Sequence, residues 1–159
     1  MRAVDVLLLS FDHAWAHRWE SFAAVLDGVH PDEAGWQAPA YGDAEVEARW
    51  PLPGSIHWQV AHTAHCKRHY AELLTQRDRA GRPPEPVREQ ALTFDEDLAL
   101  LRHVHARQRE AIAALTDADL DGRVGNAMNV AEFIAMTIRH DVWHASQIAV
   151  ARRLYRNRR

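Results

Sequence analysis

The stretch HDVWH at residues 140–144 contains the residue types that bind divalent metals and move protons. His140 and His144 are four residues apart, so on a helix both imidazoles lie on one face and can bind the same ion. The spacing resembles the metalloprotease signature His-Glu-x-x-His, in which the glutamate is the general base. Here Asp141 takes that position with a side chain one methylene shorter. The glycine and third histidine of the longer protease motif are absent after His144, so proteolysis is not favoured.

The residues around this pair place it in the protein interior. By itself the spacing is a weak signal of a metal site, because surface pairs and hydrogen-bonded core histidines have it too. Two neutral imidazoles that project into a helical core are costly unless something binds them. We therefore predict that His140 and His144 bind a metal ion. Four core-type residues share their helical face: Phe133, Thr137, Ile148 and Ala151.

A third ligand has to come from another element, and the histidine-rich stretch SIHWQVAHTAHCKRHY at residues 55–70 supplies candidates. On a helix, His62, His65 and His69 fall within one sector. His62 is the best candidate, because an aromatic residue precedes it by one turn and a cysteine follows it by one turn. His65 and His69 are expected at the hydrated edge of that sector.

Cys66 and His105 each have two possible roles, whereas His13 and His17 are not expected at the site. Cys66, one turn after His62, is either a small buried residue or a fourth ligand that closes the site. His105 lies on the apolar stripe of its helix, as a polar core residue or as a contact of the site. His13 and His17 are also four apart, but they point away from the apolar seam of their helix and are expected on the surface.

Four segments with helical periodicity must position these residues, and none of them shows the alternation of a strand. Proline- and glycine-rich stretches separate the segments: PLPG at 51–54, GRPPEP at 81–86 and DGRVGN at 121–126. The sequence predicts an all-α four-helix bundle that forms a single domain over residues 1–159. Such a bundle lacks the edge strand on which a protease holds a peptide. The segments run from about Val4 to Leu26, from the N-cap Ser55 to about Arg79, from the capping box Thr93/Glu96 onward, and from Asn129 to about Tyr155.

The connection between the first two helices, residues 29–54, is unusually long for a compact domain. It has no sustained period and contains Trp36, Trp50 and the acidic run DAEVEAR at 43–49. One interpretation is an ordered crossover that packs its tryptophans on the bundle, with a short helix at 43–49. The other is a lid, because long connections often cover a site.

Two stretches, SIHWQVAH at 55–62 and HDVWHASQI at 140–148, resemble the DinB/YfiT-like superfamily of bacterial proteins. The spacing and the helix order fit over nearly the whole chain. The resemblance implies that His62, His140 and His144 bind a divalent metal and that Gln147 orients the site. Asp141 is then expected to accept a hydrogen bond from a ligand histidine, or to pair with another helix.

Three neutral ligands leave a divalent ion with nearly its full charge and an open position, as in catalytic sites. That position suits either a water whose pKa falls to about 7 or a thiol, which a metal deprotonates. Similar families include thiol-dependent S-transferases and the mycothiol-dependent maleylpyruvate isomerase, so a low-molecular-weight thiol is the implied partner. Arg139 and Arg152 are candidates to bind anionic groups of the substrate. Imidazole suits several metals; Zn²⁺ or Ni²⁺ is expected, with Mn²⁺ and Fe²⁺ as alternatives.

Composition excludes several classes of function. The net charge of -3 offers no basic field for nucleic acid, and the local run RNRR at 156–159 is interpreted as a solvated helix end. VLLLSF near the N-terminus is too short for a membrane span or signal segment. With one cysteine, the chain is expected in the reducing cytoplasm. The expected activity is that of a metal-dependent transferase or hydrolase on a small molecule. The alternative is a non-catalytic, metal-stabilised bundle that acts as a homodimer or through a protein partner.

Overall fold

The computed structural model describes residues 1–38, 50–77, 88, 90–124 and 128–158. Within these ranges the protein is an all-α bundle, as predicted. Its long helices are α1 (Ala3–Ala16), α4 (Ile56–Thr75), α5 (Phe94–Ala113) and α6 (Val130–Arg156). Two short helices, α2 (Phe22–Leu26) and α3 (Pro31–Gly35), lie between α1 and α4. A 3-10 helix (Asp117–Asp121) and an antiparallel pair of two-residue strands, β1 (Arg123–Val124) and β2 (Met128–Asn129), connect α5 to α6.

The predicted N-caps of three long helices are confirmed. The Ser55 hydroxyl accepts a hydrogen bond from the backbone N–H of Trp58 at 3.0 Å, which starts α4. Thr93 and Asn129 each form a capping box with the glutamate three residues later, and these start α5 and α6. Helix α4 ends at Thr75, four residues earlier than predicted. None of the described helices combines the length and the apolar character that crossing a membrane requires.

The prediction of one continuous first helix from Val4 to Leu26 is wrong. Helix α1 ends at Ala16, and a new helix starts where the Ser21 hydroxyl accepts a hydrogen bond from the Ala24 N–H. Trp15 and Phe22 stack across the break at 5.7 Å, whereas Trp19 is 63% exposed. The regular spacing of aromatic residues therefore reflects two helices that share a core, not one apolar seam.

The described parts of the long connection pack its tryptophans on the bundle, which favours the ordered crossover. Trp36 follows α3 and lies edge-on to Tyr155 of α6, with 5.8 Å between ring centroids. Trp50 lies edge-on to His65 of α4 at 5.6 Å. The helix predicted at 43–49 lies outside the described residues.

Two apolar clusters occupy opposite ends of the bundle, and polar side chains lie between them. Along α5 and α6, buried apolar residues of one cluster are followed by buried polar residues and then by residues of the other cluster. On α4, Lys67 lies between the two clusters, whereas Gln59 and Thr63 alternate with residues of the cluster nearer the start of the helix. We call the intervening side chains the polar layer. Buried polar groups require partners, so a layer of them across a core indicates a specific structural or chemical role. The polar layer comprises Gln59, Thr63, Lys67, His105, Gln108, Thr137, Asp141 and His144.

A buried ion pair holds three helices together in the polar layer. Lys67 Nζ of α4 lies 2.6 Å from Asp141 Oδ2 of α6 and 3.3 Å from Gln108 Oε1 of α5. Lys67 and Asp141 are 0% and 1% exposed. Burial lowers the pKa of Lys67 and raises the pKa of Asp141, while their mutual attraction opposes both shifts. Of the two roles expected for Asp141, the structure shows that of an interhelical partner.

His105 is buried in the polar layer between aromatic rings of α1. Its ring stacks on Trp15 at 3.9 Å and on Phe11 at 4.7 Å. Burial, followed by the charges of Lys67 and Arg109, lowers the pKa of His105 from 6.5 to about 2. The folded protein therefore keeps this ring neutral under mildly acidic conditions, where the unfolded chain protonates it.

We predict that the free energy of unfolding decreases as the pH falls below about 6.5, because the unfolded state then binds more protons than the folded state. His105→Phe removes this contribution while retaining an aromatic ring. Below about pH 6.5, the free energy of unfolding of His105→Phe should fall less steeply than that of the unsubstituted protein. The difference in slope should be on the order of 1 kcal/mol per pH unit. Urea unfolding with a chelator present, at a series of pH values, measures the difference. Parallel curves would show that the folded protein also protonates His105.

Candidate metal centre

Helix α6 brings the two histidines of HDVWH together at the edge of the polar layer. Their Nε2 atoms are 3.0 Å apart, and the ring centroids of His140 and His144 are 4.3 Å apart. His144 is 0% exposed, whereas His140 is half-buried. Phe133, Thr137 and Ile148 of the same face are buried, which confirms that this face points into the bundle.

Gln59 of α4 sets the orientation of the His144 ring. Its Oε1 makes a close hydrogen bond with His144 Nδ1. An amide oxygen only accepts, so Nδ1 is the protonated nitrogen and Nε2 keeps its lone pair. No sequence signal indicated Gln59, because a glutamine between two core residues belongs to no motif. Gln147, for which an orienting role was predicted, lies half-buried on α6, and that role stays a prediction.

Helix α4 brings His62 to the same point. The His62 ring centroid lies 4.9 Å from that of His144 and 5.5 Å from that of His140. Trp58, one turn earlier, stacks on His62 at 4.7 Å with an interplanar angle of 5° and so fixes the plane of the ring. Trp50 lies 6.4 Å from His62, tilted by 50°. Two indole rings therefore lie next to this imidazole.

Cys66 joins the three histidines. Its Sγ lies 3.5 Å from His62 Nε2, and one ligand atom from each of His62, Cys66 and His140 lies within 4.8 Å of the others. His144 adds its Nε2 beside that of His140. The structure thus gathers a set of donors, two from α4 and two from α6, that we call the His–Cys cluster: His62, Cys66, His140 and His144.

Burial keeps the α6 histidines neutral. It is the main cause that lowers the pKa of His140 to about 4 and of His144 to about 3. The positive charge of Lys67 adds to the shift at His140, and His140 and His62 add to it at His144. Both rings are therefore unprotonated at neutral pH, with lone pairs available to a cation. Nitrogen and sulfur donors are the set that zinc prefers, so the residues fit the divalent ion that the family resemblance implies.

Several other predicted site residues lie away from the cluster. Asp141 is held by Lys67 in the core, so it does not face the cluster as a general base would. His105 stacks on aromatic rings of α1. Arg139 is exposed, whereas Arg152 donates hydrogen bonds to Glu33 at 3.1 Å and to the Val25 carbonyl at 2.7 Å. Binding of anionic groups by these two arginines stays a prediction.

The remaining histidines of α4 differ in burial from what was expected. His69 is only 5% exposed, so its predicted place at a hydrated edge is wrong. His65 is half-buried and lies against Trp50. Near the start of α4, His57 Nε2 lies 2.8 Å from the buried Asp97, in a pairing that sequence analysis did not identify.

Asp97 also anchors the aromatic wall beside the cluster. It accepts a hydrogen bond from Arg88 Nη2 at 2.7 Å. The Arg88 guanidinium in turn lies over the Trp50 ring, 4.9 Å from its centroid. This chain of contacts fixes Trp50 next to His62 and His65.

The family model of the DinB superfamily matches residues 14–148, a range that contains the whole His–Cys cluster. The chain belongs to the DinB superfamily. No curated protein and no solved structure matches it. The matched range runs from late in α1 into α6, so DinB membership covers the elements that position the cluster.

Gln59 provides a test of how the site is oriented. We predict that Gln59→Leu weakens divalent-metal binding by about 10- to 100-fold, the usual cost of losing the hydrogen bond that orients a ligand histidine. Gln147→Leu tests the residue to which the family resemblance gives the orienting role, and we expect it to change the affinity less than Gln59→Leu does. Isothermal titration with Zn²⁺ measures both. A larger loss in Gln147→Leu would transfer the orienting role to that residue.

Proposed function

We propose that this DinB-superfamily protein binds one divalent metal ion through the Nε2 atoms of His62, His140 and His144. We further propose that it acts on a small molecule, either by transfer involving a low-molecular-weight thiol or by hydrolysis. The observation that carries the proposal is that imidazoles from two helices face one another, with ring centroids 4.3–5.5 Å apart. His144 is buried and the other two rings are half-buried, and polar groups withdrawn from water in this way are costly unless polar partners or a cation bind them.

The bound ion would supply the reactive chemistry, since a divalent metal lowers the pKa of a water or a thiol that it binds. The protein's own residues prepare the site. Gln59 holds His144 in the tautomer whose Nε2 can bind a cation. Trp58 and Trp50 contact the His62 ring. Such aromatic side chains would exclude water from a group that reacts at the metal. Zn²⁺ and Ni²⁺ are the proposed metals, because imidazole suits both.

The half-buried members of the His–Cys cluster indicate the side on which a substrate enters. His62, Cys66 and His140 are half-buried, whereas His144 lies deepest. Trp50, at the end of the long connection, borders His62 on this side. We propose that Trp50 borders this entrance.

Thermal denaturation of the metal-loaded protein with a panel of bacterial low-molecular-weight thiols tests the proposed substrate class. A thiol that binds at the metal should raise the melting temperature of the unsubstituted protein and leave that of His144→Ala unchanged. If no thiol stabilises the protein, the transferase is excluded, and hydrolysis is then tested with a panel of esters and amides.

A second candidate function is a metal-stabilised bundle that acts as a homodimer. It is favoured by four exposed apolar residues that α6 carries outside its metal-binding face: Val142, Trp143, Val150 and Leu154, each 48–56% exposed. Contiguous exposed apolar residues often mark a contact surface. Light scattering should then give about twice the chain mass of 18.1 kDa, and Trp143→Asp should restore the monomer. A monomer at every concentration contradicts this candidate.

A further inference from the structure

We infer that Cys66 is a fourth protein ligand, so that the resting metal site of this chain is closed by three imidazoles and one thiolate. The inference rests on the proposed function, because it requires an ion held by the histidines. Beyond that proposal, it assigns Cys66 to the fourth coordination position, which a substrate would need.

The cluster consists of two matched pairs of donors. His62 and Cys66 are four residues apart on α4, and His140 and His144 are four residues apart on α6. Residues at this spacing lie one above the other on a helix, so each pair can grip one side of an ion. Opposing pairs of this kind supply the four ligands of a tetrahedral site.

The distances within each pair fit tetrahedral coordination. Zinc binds imidazole nitrogen at about 2.0–2.1 Å and thiolate sulfur at about 2.3 Å. At a tetrahedral angle these bonds place a nitrogen and a sulfur about 3.5 Å apart and two nitrogens about 3.3 Å apart. The distance from His62 Nε2 to Cys66 Sγ is 3.5 Å, and that from His140 Nε2 to His144 Nε2 is 3.0 Å. Each pair is therefore close to ligand spacing. The four donor atoms do not all lie within 4.8 Å of one another, so the pairs of α4 and α6 must also approach each other around an ion.

The surroundings of Cys66 differ from those of a cysteine that only fills the core. Cys66 is half-buried rather than fully buried, and it belongs to neither apolar cluster. Ligand nitrogens of His62 and His140 lie within 4.8 Å of its Sγ. A cysteine that binds a metal does so as the thiolate, so the S–H bond breaks, the S–metal bond forms and the proton leaves to solvent.

A fourth protein ligand changes what the site can do. Zinc sites with four protein ligands are structural, whereas catalytic sites keep one position for water or substrate. In this chain the ion would have no position for a substrate while Cys66 is bound to it. A position would become free only when the Cys66 side chain moves away. Cys66 would thus regulate access to the site.

Cobalt provides a direct probe, because Co²⁺ takes the place of Zn²⁺ and its absorption depends on its ligands. The unsubstituted protein should bind one Co²⁺ and show the near-ultraviolet charge-transfer band of a cobalt–thiolate bond. Cys66→Ser should still bind one Co²⁺ but lack that band, and it should release one proton fewer on binding. We also expect at least about tenfold weaker Zn²⁺ affinity in Cys66→Ser. Cys66→Ala should give the same spectrum as Cys66→Ser, which excludes an effect of the serine hydroxyl.

The outcomes separate this inference from the proposed function. If the unsubstituted protein binds Co²⁺ without a thiolate band, Cys66 is not a ligand, while the three-histidine site stands. If no variant binds Co²⁺ or Zn²⁺, both the inference and the proposed site are wrong. Circular dichroism of the metal-free proteins shows whether each variant folds, so that a folding defect is not mistaken for a lost ligand.

Discussion

Replacing His144 with alanine should weaken binding of Zn²⁺ by at least about 100-fold. Structural zinc sites contribute roughly 10–16 kcal/mol in total, so the loss of one of three or four ligands removes several kcal/mol of binding free energy. His144 is 0% exposed, and no other imidazole of α6 can replace it without a rearrangement of the helix. Competition with a chromogenic chelator measures the Zn²⁺ affinities of both the unsubstituted protein and His144→Ala.

A surface pair of histidines is the control for this prediction. His13 and His17 have the same spacing as the α6 pair and lie 5.3 Å apart between ring centroids, but both are exposed. His13→Ala should leave the tight binding of Zn²⁺ unchanged. If His144→Ala binds Zn²⁺ as tightly as His13→Ala does, the cluster on α4 and α6 is not the metal site.

Replacing Asp141 with alanine should lower the free energy of unfolding by about 3–5 kcal/mol, because it leaves the Lys67 ammonium buried without its counter-charge. Lys67 is 0% exposed and its shortest contact is the 2.6 Å bond to Asp141. This loss is a large fraction of the 5–15 kcal/mol that stabilises a typical domain. Urea unfolding with a chelator present measures it without a contribution from bound metal.

Two further variants separate the buried charge from other effects. The double variant Lys67→Met with Asp141→Leu replaces both charges by apolar groups and should be more stable than Asp141→Ala. Asp12→Ala removes the exposed pair with Arg109, whose atoms are 2.7 Å apart, and should cost no more than about 1 kcal/mol. If Asp141→Ala costs as little as Asp12→Ala, the pair is not needed to hold α4 against α6.

The sequence predicted the fold well wherever local signals were strong. Ser55, Thr93 and Asn129 marked helix starts, because each capping side chain and its backbone partner are only three residues apart. The break after Ala16 was missed for the opposite reason. It depends on the packing of Trp15 on Phe22 across two helices, and spacing alone does not distinguish that arrangement from a continuous helix.

The candidate site was predicted in part for a similar reason. Spacing singled out His140 and His144, and the neighbours of His62 and the family resemblance added His62; these three rings lie next to one another in the structure. The partners that fix them were not predictable, since the contact of Gln59 with His144 joins residues 85 positions apart. The ion pair of Lys67 with Asp141 likewise needs the register of α4 on α6, which no local pattern encodes.

The central claim is that imidazoles of two helices hold one divalent ion, and anomalous diffraction from crystals grown with Zn²⁺ tests it most directly. Data collected on both sides of the zinc absorption edge locate the ion independently of any assumption about its ligands. We predict a single strong peak about 2.0–2.1 Å from the Nε2 atoms of His62, His140 and His144. No peak at that point, with the three rings hydrogen-bonded to one another instead, would contradict the claim.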